Sequence, residues 1–285
     1  MSNAQQIHRW TGIAVFLLTL GIYVKTMAPT VAFWDCGEFI ATAYTMSIPH
    51  PPGSPLYVLL GRIFTLFPIG EVALRINFMS ALSSALAVWC VYLTTAALGR
   101  RALGGHPLQA FNDNRDIGII AGAAVAALTL AFSYTQWYNA SEAEVYGYSI
   151  LFTCLGLWLI VYWEGTGHSQ QNDRWLFAIA YVFGLGGGLH LLCLLTIPSL
   201  LILAWYSGDA PLQKLIKQLV GLGVAGFAAI LVLGPGTPSN AVIVLGLLGL
   251  LYYLRGKDQR LFYLLLGTVL LFAIGYSTYA ALYIR

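Results

Sequence analysis

Two acids stand three residues apart in Phe33-Trp34-Asp35-Cys36-Gly37-Glu38-Phe39. On a helix that spacing puts both carboxylates on one face. The aromatic residues around them, Phe33, Trp34, Phe39 and Tyr44, suit a membrane–water interface. A carboxylate held there is partly desolvated, which raises its basicity. Such a group suits the role of a general base that takes a proton from an acceptor hydroxyl. Asp35 and Glu38 are therefore the catalytic candidates. Asp35 also fits a plain helix N-cap, a position that Asp favours.

Three further groups could bind what such a base acts on. In Ile48-Pro49-His50-Pro51-Pro52-Gly53-Ser54-Pro55 the prolines forbid a continuous helix. They hold His50 in a rigid turn, able to donate to an acid or a phosphate, or simply facing water. In Trp137-Tyr138-Asn139-Ala140-Ser141-Glu142-Ala143-Glu144-Val145-Tyr146, Glu142 and Glu144 form an E-x-E pair among aromatics. That pair suits a sugar, a peptide or part of a metal site, although two carboxylates leave a metal short of ligands. It equally suits acids flanking a helix N-terminus. Asn139-Ala140-Ser141 fits the N-glycosylation acceptor pattern. The third group is cationic: Arg62, Arg75 and Arg285 offer forked donors to a lipid phosphate, while Lys25 reads as a snorkelling side chain. His190, after the glycine-rich Gly184–Gly188, joins the list. The substrate-binding candidates are thus His50, Arg62, Arg75, Glu142, Glu144, His190 and Arg285. No residues are assigned to a metal, and no cofactor is expected.

The elements that must position these residues are membrane helices. The chain has 285 residues, 59% hydrophobic and only 9% charged, against about 25% charged in a soluble domain. Its mean hydropathy is +0.76, and several solid runs of Leu, Ile, Val, Ala and Gly approach the ~20 residues that cross a bilayer as a helix. A barrel would alternate instead. The expectation is an all-α, polytopic helical bundle of about nine spans, at roughly 10–27, 73–98, 116–135, 146–163, 175–189, 191–206, 215–234, 240–254 and 261–284. The joint at Gly184–His190 is its weakest point. The first run follows His8 and Arg9 without a small-x-small cleavage site, so it reads as an uncleaved span rather than a signal peptide.

Pro55–Phe67 is too short to span and reads as an interfacial helix. Leaving it outside places Arg9, Arg100, Arg101, Arg115, Arg174, Lys214, Lys217, Arg255, Lys257 and Arg260 on one side. That is ten of the 14 Lys and Arg residues. The positive-inside rule then makes the N-terminus cytoplasmic. The first outer loop runs from about 28 to 74, with a helix near Trp34–Ser47, a proline turn and a second short helix. The candidate residues all fall on the outer side, whereas Asp113, Asp116, Glu164, Asp173, Asp209 and Asp258 fall inside among cations. Cys36, Cys90, Cys154 and Cys193 lack C-x-x-C spacing, so neither zinc nor a disulfide framework is indicated. No basic tract suggests nucleic acid. The second, third, fourth, seventh, eighth and ninth spans carry no Asp, Glu, Lys or Arg near mid-membrane, where an ion-coupled transporter usually needs one. An enzyme acting on a lipid-linked substrate at one membrane face fits this layout. A lipid or solute transporter and a non-catalytic scaffold are the rival classes.

The block TVAFWDCGEFIATAYTMSIPHPPGSPLYVLLGRIF, followed by GEVALRINFMSALSSALAV, resembles the membrane proteins grouped as domain of unknown function 2723. That family includes the transmembrane-protein-260 type protein O-mannosyltransferases. The similarity continues through NASEAEVYGYS, GLGGGLHLL and GYSTYAALYIR. It implies a single GT-C-like glycosyltransferase domain over 1–285, with a continuation past the last span. It implies an inverting enzyme that takes a sugar, mannose or another hexose, from a polyprenyl-phosphate donor. The sugar passes to a Ser or Thr hydroxyl of an exported protein on the non-cytoplasmic side. The donor, the protein acceptor and membrane lipid are the implied partners, and a bacterial inner membrane the expected location. Asp35 matches the catalytic acid of the first outer loop, with Glu38 close behind. Glu142 and Glu144 are similar in placement to the second-loop acidic motif of oligosaccharyl transferases.

Overall fold

The computed structural model describes residues 2–112, 114–167, 170–234 and 236–283. They are helical, with no strand among them. In chain order the helices are α1 (Asn3–Thr26), α2 (Cys36–Thr45), α3 (Pro55–Thr65), α4 (Val72–Ala102), α5 (Asn114–Ala131), α6 (Tyr134–Ala140), α7 (Val145–Thr166), α8 (Asp173–Gly187), α9 (Ile197–Tyr206), α10 (Ala210–Leu233), α11 (Thr237–Lys257), α12 (Gln259–Tyr276) and α13 (Thr278–Tyr283). A 3-10 turn, Leu191–Thr196, joins α8 to α9.

Six helices are long and apolar enough to cross a membrane: α1, α4, α7, α10, α11 and the α12 region. The α5–α6 pair, bent by 65° at its break, makes a seventh if it is one broken span. The chain is thus multi-pass, but the expected nine spans reduce to six or seven by length. The apolar runs at 175–189 and 191–206 do form helices. The first stops after 15 residues at its glycines. The second begins as a 3-10 turn before α9, which has Pro198 in its first turn. Neither reaches the ~30 Å of a hydrocarbon core.

Helix α4 is the central post. It packs against α1, α5 and α7, and more lightly against α3 and α6. Val15, Val88, Tyr92, Ala123 and Ala127 fill the seam with α1 and α5. The second half is organised by the α8–α12 pair, whose backbones approach closely because both lack side chains at the contact. A Cβ on Gly184 would lie 2.2 Å from the Phe272 carbonyl oxygen, so only glycine fits.

The first outer loop folds as a helical hairpin of α2 and α3, close to the sequence expectation. Gly61 of α3 sits against Ala43 of α2, where an added Cβ would come within 2.7 Å of the alanine's. The hairpin is pinned to the bundle by a small core of Phe39, Tyr57, Ile76, Met79, Val145, Tyr148 and Leu189. At the far ends of α4 and α7 the charges form ion pairs. Arg100 meets Asp116 at 3.5 Å and Arg101 meets Glu164. Arg260 bridges Asp173 and Asp209 at 2.9 and 3.0 Å. Helix α7, 22 residues long, holds these pairs about 33 Å from its other end, where the candidate residues gather.

Candidate functional site

Asp35 stands at the N-cap position of α2, but its side chain caps nothing. A capping carboxylate reaches the second or third amide from an extended backbone. Asp35 has helical angles instead, φ −79° and ψ −4°. Trp34 just before it is left-handed, with φ 61°, a conformation costly for a bulky residue. The chain therefore enters α2 by a route that leaves the Asp35 carboxylate outside the helix and exposed. The N-cap alternative holds for its place in the chain and fails for its side chain.

Glu38, one turn on, is fully engaged. Its Oε1 accepts the His50 backbone N–H at 2.7 Å, and its Oε2 pairs with the His50 Nδ1 at 2.7 Å. The bond to His50 holds the Glu38 carboxyl below its usual range. The same bond, helped by Asp35 and Glu144, raises the His50 pKa. Asp35, Glu38 and His50 bring ligand atoms within 4.8 Å of one another, and are the described residues close enough to share a metal ion. Nδ1 of His50 is already committed to Glu38, which leaves Nε2 as its ring's available nitrogen.

The E-x-E pair closes the other side. Glu142 and Glu144 are 5% and 7% exposed, so the desolvation expected at Asp35 falls on them instead. Glu144 precedes α7, its backbone bound to Ser80 of α4. Burial, then the nearby Asp35, push its carboxyl up to about 7, with Glu142 adding and His50 opposing. The Cys36 thiol, pushed up to about 12 by burial and then by Glu142 and Glu144, stays protonated beside Glu142. Tyr138, one helical turn before Glu142, brings its hydroxyl to the same carboxylate.

Backbone clamps hold this assembly. Asn77 of α4 donates to the carbonyls of Ala28 and Thr30, and the Ala28 amide donates to the Ser141 carbonyl. The first and second outer loops are thereby stitched together beside the acids. The glycine run docks from the opposite side: the Leu56 amide donates to the Gly188 carbonyl and the Ser54 hydroxyl to the Leu189 carbonyl, both at 3.0 Å. His190 follows there, its ring 5.5 Å from that of Tyr146, two residues past Glu144.

The cations are placed differently. Arg75 donates to the carbonyls of Thr65, Ile69 and Gly70, closing the C-terminal end of α3. Arg62 donates to the Tyr44 carbonyl and stands over the Tyr44 ring. Both brace the α2–α3 hairpin. Arg75 also borders an apolar groove with Met27, Phe64, Phe67, Ile69, Leu74, Phe78 and Leu82. Arg285 lies outside the described residues. Composition and spacing did not flag Cys36, Tyr57, Ser80 or Tyr138 as parts of this assembly. Tyr138 stands four residues before Glu142, so helical periodicity from that acid was a signal for it, whereas Cys36, one and two residues from Asp35 and Glu38, lies off that period. Ser80 carried none.

Residues 35–213 match the family described as the protein O-mannosyl-transferase TMEM260 N-terminal domain. A mouse protein O-mannosyl-transferase TMEM260 is 30% identical over 163 residues, covering 57% of this chain and 21% of the relative. The tmem260 protein O-mannosyl-transferase of Dictyostelium discoideum is 29% identical over 237 residues, covering 78% of this chain and 27% of the relative. The aligned part is thus about a quarter of the length of these curated relatives. No solved structure matches. The matched family segment opens at Asp35 itself and includes every described candidate residue named above, and on that extent the chain belongs to the TMEM260 N-terminal domain family.

Proposed function

We propose that this chain is the membrane-embedded part of a GT-C-type protein O-mannosyltransferase. In this reading it moves mannose or a similar hexose from a polyprenyl-phosphate donor to a Ser or Thr hydroxyl, on the non-cytoplasmic face. The relatives are named as protein O-mannosyl-transferases. The observation that carries the reading is the convergence of Asp35, Glu142, Glu144 and the Glu38–His50 pair at one end of a helical bundle; an apolar groove between α3 and α4, bordered by Arg75, is suited to an isoprenoid chain.

The reaction follows from those groups. Asp35, uncommitted to its own helix, accepts the acceptor hydroxyl's proton. The hydroxyl oxygen bonds to the anomeric carbon from the face opposite the phosphate. The carbon–oxygen bond to the phosphate breaks, and its electron pair leaves with the polyprenyl phosphate. The configuration inverts. Buried Glu142, with Cys36 and Tyr138 beside it, supplies acceptors for sugar hydroxyls. The step uses no metal, so a chelator is expected to leave the rate unchanged.

Asp35→Asn in the full-length protein tests the assignment. Removing a general base costs about 10²–10⁴-fold in rate. The assay follows mannose transfer from a short-chain polyprenyl phosphate mannose to a Ser/Thr-rich peptide. A variant that folds normally and transfers at the parent rate excludes Asp35 as the base.

A further inference from the structure

An acid-rich cluster repels the very group that a lipid-phosphate donor brings to it. Four carboxylates meet there, and His50 is a basic side chain that acts on Glu144. Arg62 of α3 and Arg75 of α4 are held by backbone carbonyls. Something must offset the repulsion when a phosphate enters.

The geometry points to His50, with Glu38 as its positioning residue. Glu38 grips His50 at two points, backbone amide and Nδ1, each at 2.7 Å. A single carboxylate taking both bonds fixes the ring's orientation and its tautomer: Nδ1 carries a proton toward Glu38, and Nε2 faces away. We propose that Glu38 holds His50 so that its Nε2–H donates to the leaving phosphate oxygen of the lipid donor. Glu38 is then not a second base. It acts through His50, as the flanking prolines do by fixing the turn. Phe39 supports the ring from below, with centroids 5.7 Å apart. The charged groups facing His50 are Glu38 and Asp35 from the start of α2 and Glu144 from the start of α7, all of which favour its protonated form. This inference rests on the transferase reading for its substrate, and its test separates the two.

The test uses the full-length protein in nanodiscs and farnesyl phosphate as the phosphate probe. In the wild type, farnesyl phosphate affinity should fall as pH rises through the His50 midpoint read by histidine NMR. The phosphate gains charge and Glu144 loses its proton over part of the same titration, so the share of the fall that belongs to His50 is the part that His50→Gln removes. Glu38→Gln should lower the His50 midpoint by about one pH unit and weaken binding near neutral pH about tenfold. His50→Gln, which keeps one donor but cannot protonate, should make the fall with pH clearly shallower than in the wild type. An unchanged His50 midpoint in Glu38→Gln overturns the positioning role. A wild-type affinity that is flat or rises with pH overturns the phosphate contact without need of any variant. If the pH and variant results are as expected but the wild type transfers no mannose, the transferase reading fails and the phosphate clamp stands.

Discussion

The two ends of this bundle treat the same residue types in opposite ways. Asp209 and Asp258 precede α10 and α12 on extended backbone, and their carboxylates cap those helices through the Leu212 and Leu261 amides. Asp209 also shares Arg260 with Asp173. Asp35 and Glu144 precede α2 and α7, and neither caps anything. Their neighbours are other carboxylates and one histidine. One end spends its acids on holding the helices together. The other leaves Asp35 and Glu144 uncapped among like charges at a cost in stability, which is the usual mark of a site kept for chemistry.

The largest effect should come from breaking the structural end. Arg260→Ala leaves two buried carboxylates, Asp173 and Asp209, without their cation. Loss of one partner from a buried pair costs about 3–5 kcal/mol. Thermal or denaturant unfolding in detergent should show it, while transfer per folded molecule stays at the parent value. A matching loss of catalysis would mean that the two ends are coupled.

Glu144→Gln should act in the opposite direction. Its carboxyl is raised to about 7 from an ordinary 4.5, so it binds its proton more tightly folded than unfolded. Folding therefore loses stability as pH rises from about 4.5 to about 7, and bears the full loss above that. The neutral amide escapes this loss. The variant should gain up to about 3 kcal/mol at pH 8 and nothing at pH 4. Equal stability of the two proteins at pH 8 would show that the acids at this end are not held under strain.

A smaller effect belongs to Arg75, an arginine that stands near the acids yet serves the fold. Arg75→Ala frees three carbonyls at the end of α3. The expected loss is about 1–2 kcal/mol, with earlier proteolysis at 65–71 and an unchanged His50 titration. A loss of farnesyl phosphate binding larger than the loss of stability would move Arg75 into the phosphate site.

Much of this contrast was legible in the sequence. Hydropathy and the distribution of Lys and Arg separated the two sets of charges. The prolines marked the turn between α2 and α3, and Pro55 marked where α3 begins. What composition could not carry was the direction of each side chain. Asp at an N-cap position predicts a capping bond, and only the left-handed Trp34 and the helical Asp35 angles show why none forms. Arg75 reads as a phosphate ligand from its type, but its partners are carbonyls of a turn whose closure depends on the whole hairpin. The span count failed at Gly184–His190 because residues that are apolar enough for lipid serve there to let backbones touch.

The hydrogen bonds from Ser54 and Leu56 to Leu189 and Gly188 join segments 132 to 135 residues apart in the chain. During synthesis the α2–α3 hairpin emerges long before its partner exists. A nascent chain halted before the glycine run holds every carboxylate of the cluster, but cannot close the wall on the His190 side. The assembly matures only when α8 is threaded and the following turn swings back. Variants in the glycine run should therefore reveal themselves as defects of biogenesis, retained by membrane quality control, rather than as slow enzymes.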